Sequence, residues 1–204
     1  DFDIRVDRFV VDDLHVAKGL VGEERIVDFS AKADVRHGRV LLDADGRLGG
    51  GDVLRALVDA EPDGDRFDID LDYRAPAGGL LASLVGAKDP MRARLVGKGT
   101  WTAWNGSFLA TQGGSNIGAL KIYNRAGRYK IVGQVRPEGY VSGLPAAALG
   151  DLVSLAAVGT LEDSVLAGDF AIRGAGANAD GEGAVDLADQ VVKDLRLQLV
   201  LIDQ

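Results

Sequence analysis

Apolar and polar residues alternate along most of this chain. The clearest case is the stretch 66–75, where Phe67, Ile69, Leu71 and Tyr73 alternate with three aspartates and an arginine. A period of two places successive side chains on opposite faces of a β-strand. A helix would distribute the same charges around its circumference. The pattern therefore predicts an all-β chain whose strands have one apolar face and one polar face.

The same alternation predicts further strands and the turns between them. The strand patterns cover residues 4–16, 26–36, 38–48, 53–60, 66–75, 91–101 and 129–135. Turns are expected at Gly38, Gly46, Asp63-Gly64 and Gly127, and a tight hairpin turn is expected at Asn105-Gly106. Two segments read as short helices, Gly79–Gly86 and Leu144–Leu149.

Two stretches of the chain resemble each other. Arg66-Phe67-Asp68-Ile69 corresponds to Arg128-Tyr129-Lys130-Ile131, and the helical segment after Gly79 corresponds to the one after Gly143. The spacing indicates a unit of roughly 60 residues, which is typical of elongated bodies built by stacking similar units. We predict one repeat-built fragment over residues 1–204, with approximate units 1–75, 76–136 and 137–204.

Composition narrows the range of functions. Hydrophobic residues make up 47% of the chain and aromatic residues only 6%, so the apolar content is mostly aliphatic. The formal net charge of -8 argues against nucleic acid as a partner, because such partners bind basic surfaces. The chain contains no cysteine, which excludes thiolate metal sites and cysteine nucleophiles.

No residue pattern indicates catalysis. His15 and His37 are isolated histidines, and no serine lies in a G-x-S-x-G motif. The aspartates of DGDRFDIDLD lack the spacing of a calcium loop and fit the solvated face of a strand. Trp101 and Trp104 fit either a ligand-contacting pair or packing beside a hairpin. We expect a non-enzymatic protein without cofactor or metal.

Four segments together resemble the TamB family of AsmA-like, bridge-like lipid-transfer proteins. They are, in order, FDIRVDRFVVDDLHV, VDFSAKADVRHGRVLLDADGRL, DRFDIDLDYRAPAGGLLASL and GAVDLADQVVKDLRLQLVLI. The resemblance rests on their joint order and covers nearly the whole chain. It implies an elongated, twisted sheet folded lengthwise into a half-pipe, or β-taco, with two short helical crossings and an apolar groove.

The resemblance also implies a location and a role. Members of this family are anchored in the inner membrane of Gram-negative bacteria, cross the periplasm and partner with the outer-membrane barrel TamA. The implied function is a periplasmic groove that binds or conducts phospholipid acyl chains between the two membranes during outer-membrane biogenesis. We expect this fragment to contain groove, with the N-terminal anchor and the TamA-contacting regions outside it.

Apolar positions of the predicted strands form the expected lipid-binding groove. They are Val27, Phe29, Ala31, Val35, Val40, Leu42, Phe67, Ile69, Leu71, Tyr73, Leu95, Trp101, Tyr129, Ile131, Val135, Phe170, Ile172, Leu195, Leu197 and Leu199. An open apolar wall of this kind predicts that the fragment self-associates, caps its groove or carries lipid.

Two other functions use the same surface. One is a chaperone or scaffold that holds outer-membrane β-barrel strands during assembly and secretion with TamA, by adding them to an exposed sheet edge. The other is a closed β-sandwich that serves only as a spacer, in which case the apolar face is a core. Bound acyl chains, bound β-peptides and the lack of a cavity distinguish the three.

Overall fold

A computed structural model describes residues 4–16, 25–36, 38–84, 86–137, 149–162, 164–186, 188 and 191–202. Strands make up most of these residues, and one short helix, α1 (Leu80–Leu84), follows the fifth strand. The strands are β1 (Ile4–Val16), β2 (Arg25–Arg36), β3 (Arg39–Arg47), β4 (Val53–Glu61), β5 (Arg66–Ala75), β6 (Met91–Gly99), β7 (Ala103–Gln112), β8 (Ser115–Arg125), β9 (Arg128–Val135), β10 (Val153–Glu162), β11 (Val165–Arg173), β12 (Ala177–Asp186) and β13 (Val191–Leu201).

The thirteen strands of the described residues form one open antiparallel sheet. Strand order follows chain order from β1 to β13, so each strand is hydrogen-bonded to its neighbours in sequence. β1 and β13 are the two edges of the sheet. The prediction of an all-β chain is confirmed.

The five strands predicted before residue 76 match β1 to β5, with ends that agree within one residue. The helix α1 lies inside the segment predicted as helical at Gly79–Gly86, and it joins β5 to its sheet neighbour β6. The second predicted helix, Leu144–Leu149, falls outside the described residues except for Leu149. Strong alternation therefore located these strands well.

Two glycines predicted to form turns lie inside strands. Gly106 is in β7, where it pairs with Gly97 of β6, and the β6–β7 turn is formed instead at residues 100–102. A Cβ at Gly106 would come 2.8 Å from the backbone carbonyl oxygen of Val96 and 3.1 Å from the ring of Trp104. Gly46 lies in β3, where a Cβ would come 3.3 Å from the ring of Phe29. The prediction was wrong at both positions because these glycines lie inside strands, where a side chain would crowd an aromatic ring and, at Gly106, the neighbouring strand.

The β8–β9 hairpin contains a tight turn of the kind expected for Asn-Gly. Ala126 and Gly127 have φ values of 52° and 78°, and positive φ at both central residues is the geometry of a type I′ turn. The side-chain Oδ1 of Asn124 accepts a hydrogen bond from the backbone N–H of Gly127 at 3.0 Å. The buried side chain of Asn124 therefore stabilises the turn by this hydrogen bond, in place of an asparagine at a central turn position.

The chain divides into two compact units, which we call unit 1 (Asp1–Asn116) and unit 2 (Ile117–Gln204). Buried apolar side chains in the described residues are mostly small. They are Ala31, Ala44, Ala60, Ala75, Ala82, Met91, Ala110, Val153, Ala177 and Ala179. Many larger apolar side chains are partly or largely exposed. Each unit therefore presents apolar surface to its surroundings.

Candidate apolar binding surface

Strand pairing brings the predicted groove residues of unit 1 onto one face. Ala31, Ala44, Ala56, Leu71 and Leu95 are successive cross-strand partners from β2 to β6. Directly opposed residues of antiparallel strands project from the same side of the sheet. The parallel rows on this side contain Val27, Phe29, Val35, Val40, Leu42, Phe67, Ile69 and Tyr73. We call this side the apolar face of unit 1.

An aromatic cluster lies at one end of β5 on this face. The rings of Phe67 and Trp104 stack with centroids 4.6 Å apart, and the ring of Trp101 lies 6.1 Å from Phe67. Trp101 was predicted to lie on a strand, but it is in the β6–β7 turn and is 43% exposed. The sequence left the role of Trp104 open, and the structure places its ring against the face. These three rings border the apolar face.

The turn that carries Trp101 is tied to the preceding hairpin. The Oδ1 of Asp65 accepts hydrogen bonds from both the backbone N–H and the hydroxyl of Thr102, each at 3.0 Å. The backbone N–H of Thr102 contributes most to lowering the pKa of the Asp65 carboxyl. The carboxylate of Asp65 therefore helps to hold the turn that carries Trp101.

A buried carboxylate lies at the opposite end of β5. Asp52 is fully buried, and its two oxygens accept hydrogen bonds from the Tyr73 hydroxyl at 2.7 Å and from the backbone N–H of Leu80 at 2.8 Å. A Cβ at Gly79 would overlap the Asp52 carboxylate, so only glycine fits before α1. We call Asp52, Tyr73 and Leu80 the Asp52 clamp. The Asp52 clamp lies roughly 20 Å from the aromatic cluster, the length of six strand residues.

The reverse face of unit 1 is charged, and many of its charged side chains form ion pairs. Asp72 accepts hydrogen bonds from Arg92 and Arg74, and these guanidinium groups, Arg92 foremost, lower the pKa of Asp72 to about 2. Arg39 contacts Asp59 at 2.7 Å and lowers the pKa of that carboxyl. The two faces of unit 1 therefore differ sharply in polarity, as the alternation predicted.

Unit 2 repeats this arrangement. Ile131, Ala157, Phe170, Gly181 and Leu197 are successive cross-strand partners from β9 to β13. The remaining predicted groove residues of unit 2 lie on the same side, and they are Tyr129, Val135, Ile172, Leu195 and Leu199. Leu195, Leu197 and Leu199 are 58%, 59% and 61% exposed. We call this side the apolar face of unit 2.

A row of three glycines lies across the middle of this face. Gly159, Gly168 and Gly183 are paired partners on β10, β11 and β12. A Cβ at Gly168 would overlap the carbonyl oxygen of Val158, whereas a Cβ at Gly183 would make only ordinary contacts, with Leu195 at 3.4 Å and with the Lys193 carbonyl oxygen at 3.6 Å. Three adjacent strands thus lack side chains at one register, which leaves the sheet surface low there.

Above this row is an apolar cavity of about 300 Å³, which we call the unit 2 hollow. Its side-chain lining on the apolar face comprises Tyr129, Ile131, Ala157, Leu161, Leu166, Phe170, Val185, Val192 and Leu195. Such a volume lies at the lower end of the range for small-molecule sites, roughly 300–1,000 Å³. The predicted groove residues Tyr129, Ile131, Phe170 and Leu195 are thereby brought together.

Several residues of these faces were not predicted from the sequence. Ala56 and Val58 of β4 and Leu161 and Leu166 in unit 2 belong to the apolar faces through strand pairing. On β4 the alternation is interrupted because Leu57, on the reverse face, is also apolar and is 44% exposed. The register with β5, whose alternation is clean, is the signal that identifies the β4 residues.

Fold and surface together define an open antiparallel sheet protein with an exposed apolar face in each unit. Among the residues that the structure describes, no group of three or more acidic or histidine side chains is arranged to hold a metal ion. No helix in the same residues has the length and apolar character to span a membrane. Comparisons with protein families, with curated proteins and with solved structures give no match.

Proposed function

We propose that the apolar faces bind phospholipid acyl chains and that the protein conducts lipid between the inner and outer membranes as a periplasmic groove protein. The observation that carries this proposal is the unit 2 hollow, an apolar cavity open beside three exposed leucines. Transfer of each methylene group from water to apolar surroundings is worth about 0.8 kcal/mol. A short length of acyl chain in the hollow would therefore gain several kcal/mol.

The chemistry of the hollow suits a chain better than a headgroup. On the apolar face its lining side chains are aliphatic or aromatic, and the hydroxyl of Tyr129 is the polar group among them. Specific small-molecule sites add a few placed polar or charged groups that fix orientation. The charged residue of the lining, Asp169, is paired with Val158 and lies on the reverse side of the sheet. A lining with so few polar groups on the apolar face favours binding of many acyl chains with little selectivity.

The sequence resemblance to the TamB family supports the wider proposal. We propose that the sheet is folded into a half-pipe, that it belongs to an inner-membrane-anchored protein, and that regions outside these residues contact a TamA-like barrel. In this proposal the aromatic cluster and the Asp52 clamp border the acyl-chain path in unit 1. The path would cross the strands rather than follow them.

A second candidate function is a chaperone for outer-membrane β-barrel strands. The observation that favours it is the exposure of every residue of the edge strand β13. Such an edge accepts an extended peptide through backbone hydrogen bonds. Saturable binding of an amphipathic β-peptide, with no retention of lipid, would favour this function over the first.

Two adjacent residues of β11 test the lipid proposal with matched substitutions. Leu166→Arg places a charge in the unit 2 hollow, whereas Val165→Arg places the same charge on the reverse face opposite Asp186 and Glu162. We expect Leu166→Arg to weaken binding of a phospholipid with a fluorescent acyl chain at least tenfold. Val165→Arg should bind like the parent.

A second variant fills the hollow without adding charge. Gly183→Val should reduce acyl-chain binding while the sheet stays folded, because a Cβ at Gly183 makes only ordinary contacts, with Leu195 at 3.4 Å and the Lys193 carbonyl oxygen at 3.6 Å. Circular dichroism checks the fold of all three variants. Equal lipid binding by the parent and by folded Leu166→Arg and Gly183→Val would contradict the proposed function.

A further inference from the structure

Aromatic rings lie over several glycines inside the strands of the two apolar faces. A Cβ at Gly46 would lie 3.3 Å from the ring of Phe29, and a Cβ at Gly181 would overlap the ring of Phe170. A glycine leaves the sheet without a side chain at its position, so a flat ring can contact the backbone directly. The packing of this chain therefore shows what kind of group a strand glycine accommodates.

Unit 1 shows how such a ring covers two paired glycines. Gly97 of β6 and Gly106 of β7 are cross-strand partners. Cβ atoms at these positions would lie 3.4 Å and 3.1 Å from the ring of Trp104, so this ring lies over both glycines. The ring of Phe67 stacks on that of Trp104, with centroids 4.6 Å apart. In unit 1 the chain itself therefore supplies the rings that fill the space above paired glycines.

The glycine row of unit 2 is not covered in this way. At Gly159 and Gly168 the atoms nearest to an added Cβ belong to the backbone of the paired strand, and at Gly183 they belong to Leu195 and Lys193. The row lies on β10, β11 and β12, each of which is paired on both sides, so this floor does not depend on an edge of the sheet. Where unit 1 has the ring of Trp104, unit 2 therefore has an apolar cavity.

We propose that the unit 2 hollow binds a flat, apolar compound of fused rings, seated on the glycine row as Trp104 is seated on Gly97 and Gly106. An apolar cavity of about 150 Å³ accommodates one benzene ring. The hollow has about 300 Å³, which gives room for roughly two fused rings. This inference goes beyond the proposed function, because it concerns the same hollow but requires no transport of lipid.

The walls of the hollow add aromatic contacts to its flat floor. Tyr129 is the cross-strand partner of Gly159, and Phe170 lies two residues from Gly168 on the same face of β11. Both residues line the hollow. Aromatic rings attract each other in offset-stacked and edge-to-face arrangements, beyond the effect of the area they bury. A saturated ring system is thicker and lacks the π face, so it loses both kinds of contact.

A matched pair of small compounds tests this inference on the parent protein. The flat compound is 2-naphthol, and decahydro-2-naphthol has the same carbon skeleton and hydroxyl but puckered, saturated rings. Isothermal titration calorimetry measures the Kd of each. We expect one molecule of 2-naphthol to bind per chain, with a Kd about tenfold lower than that of the saturated compound.

Two phenylalanine substitutions on β12 locate the binding site. Gly183→Phe gives the chain its own ring over the glycine row and should raise the Kd of 2-naphthol at least about tenfold. Glu182→Phe adds the same side chain to the reverse face, one residue away, and should bind like the parent. Circular dichroism checks that both variants fold. Leu166→Arg, in the lining of the hollow, is a second variant that should lose 2-naphthol binding.

The results separate this inference from the proposed function. Equal Kd values for the two compounds, or parent-like 2-naphthol binding by folded Gly183→Phe or folded Leu166→Arg, would overturn the inference. Binding of 2-naphthol without binding of the fluorescent phospholipid would support the inference and contradict only the proposed function. Binding of the phospholipid without binding of 2-naphthol would overturn only the inference.

Discussion

Units 1 and 2 are built on the same alternation but differ in what covers their apolar faces. In unit 1 the face carries large, half-buried side chains such as Phe67 and Leu71, and the Asp52 clamp closes one end of β5. In unit 2 the glycine row of Gly159, Gly168 and Gly183 leaves a hollow, and the leucines beside it are exposed. Alternation thus decides which face is apolar, and side-chain size at paired positions decides whether that face is filled.

This difference predicts that unit 1 contributes mainly to the stability of the protein and unit 2 mainly to ligand binding. Unit 1 combines packed apolar rows with cross-strand ion pairs and a satisfied buried carboxylate, which are features that stabilise a sheet. Unit 2 leaves apolar surface accessible, which costs free energy in water unless something covers it. We therefore expect substitutions at polar contacts to act mainly on the stability of unit 1, and substitutions in the hollow to act mainly on ligand binding.

The largest expected effect is that of Asp52→Ala in unit 1. It removes the fully buried carboxylate that accepts hydrogen bonds from the Tyr73 hydroxyl and the Leu80 backbone N–H. We expect a loss of about 3 kcal/mol in the free energy of unfolding, since two hydrogen bonds to a buried carboxylate and the packing around it are lost together. Urea unfolding followed by tryptophan fluorescence measures it, because both tryptophans lie in unit 1.

The matched variant in unit 2 is Asp186→Ala. Asp186 is 8% exposed and accepts hydrogen bonds from Lys193 at 2.8 Å and from the backbone N–H of Ala188 at 3.1 Å. Its loss should cost about 1 kcal/mol, because the Lys193 ammonium can turn to water. A larger loss in the free energy of unfolding for Asp186→Ala than for Asp52→Ala would contradict the expectation that polar contacts matter more for the stability of unit 1.

A medium effect is expected within the glycine row. Gly168→Ala should lower the free energy of unfolding by about 2 kcal/mol, because its Cβ would overlap the carbonyl oxygen of Val158. Gly183→Ala should change it by less than about 0.5 kcal/mol, because its Cβ meets only ordinary contacts. Thermal melts of both variants test this. An equal change in the free energy of unfolding for the two variants would show that contact with the neighbouring backbone does not require glycine at position 168.

The smallest effect concerns the ion pairs of unit 1 and depends on pH. The pKa of Asp72 is about 2 in the folded protein against an ordinary value of 3.8. A lowered pKa means that the ion pair stabilises the fold above about pH 4 and that this contribution is lost as the pH falls through about 2. Asp72→Asn should therefore cost about 0.5–1 kcal/mol at pH 7 and nothing measurable at pH 2.

A more exposed ion pair provides the control for Asp72→Asn. Asp45 and Arg55 are 3.3 Å apart, and their side chains are 62% and 70% exposed. Water screens such pairs, so Asp45→Asn should have little effect at either pH. Urea unfolding at both pH values measures the two variants together. The same cost for Asp72→Asn at pH 2 as at pH 7 would contradict the assigned pKa.

Much of the fold followed from the sequence where alternation is clean. β5 was predicted correctly because Phe67 to Tyr73 alternate strictly with charged residues, which no helix accommodates. The turns at Asn105-Gly106 and Gly46 were not, because a glycine under an aromatic ring and a glycine in a turn look alike in sequence. What distinguishes them is the residue on the neighbouring strand.

The candidate surface was predictable only in part for the same reason. Phe170 and Leu195 were predicted as groove residues, but the hollow between them depends on the pairing of Gly159, Gly168 and Gly183. These glycines are widely spaced in sequence and meet only through register. The Asp52 clamp likewise joins distant residues, and nothing near Asp52 in the sequence signals it.

The most direct test of the central claim is to map where an acyl chain lies on the folded protein. A phospholipid with a photoreactive diazirine in its acyl chain would be bound, irradiated and located by mass spectrometry of proteolytic peptides. The lipid proposal predicts labels on Leu166, Phe170 and Leu195, which line the unit 2 hollow. Labels confined to the reverse face, at residues such as Arg173 and Asp180, or no labelling at all, would contradict it.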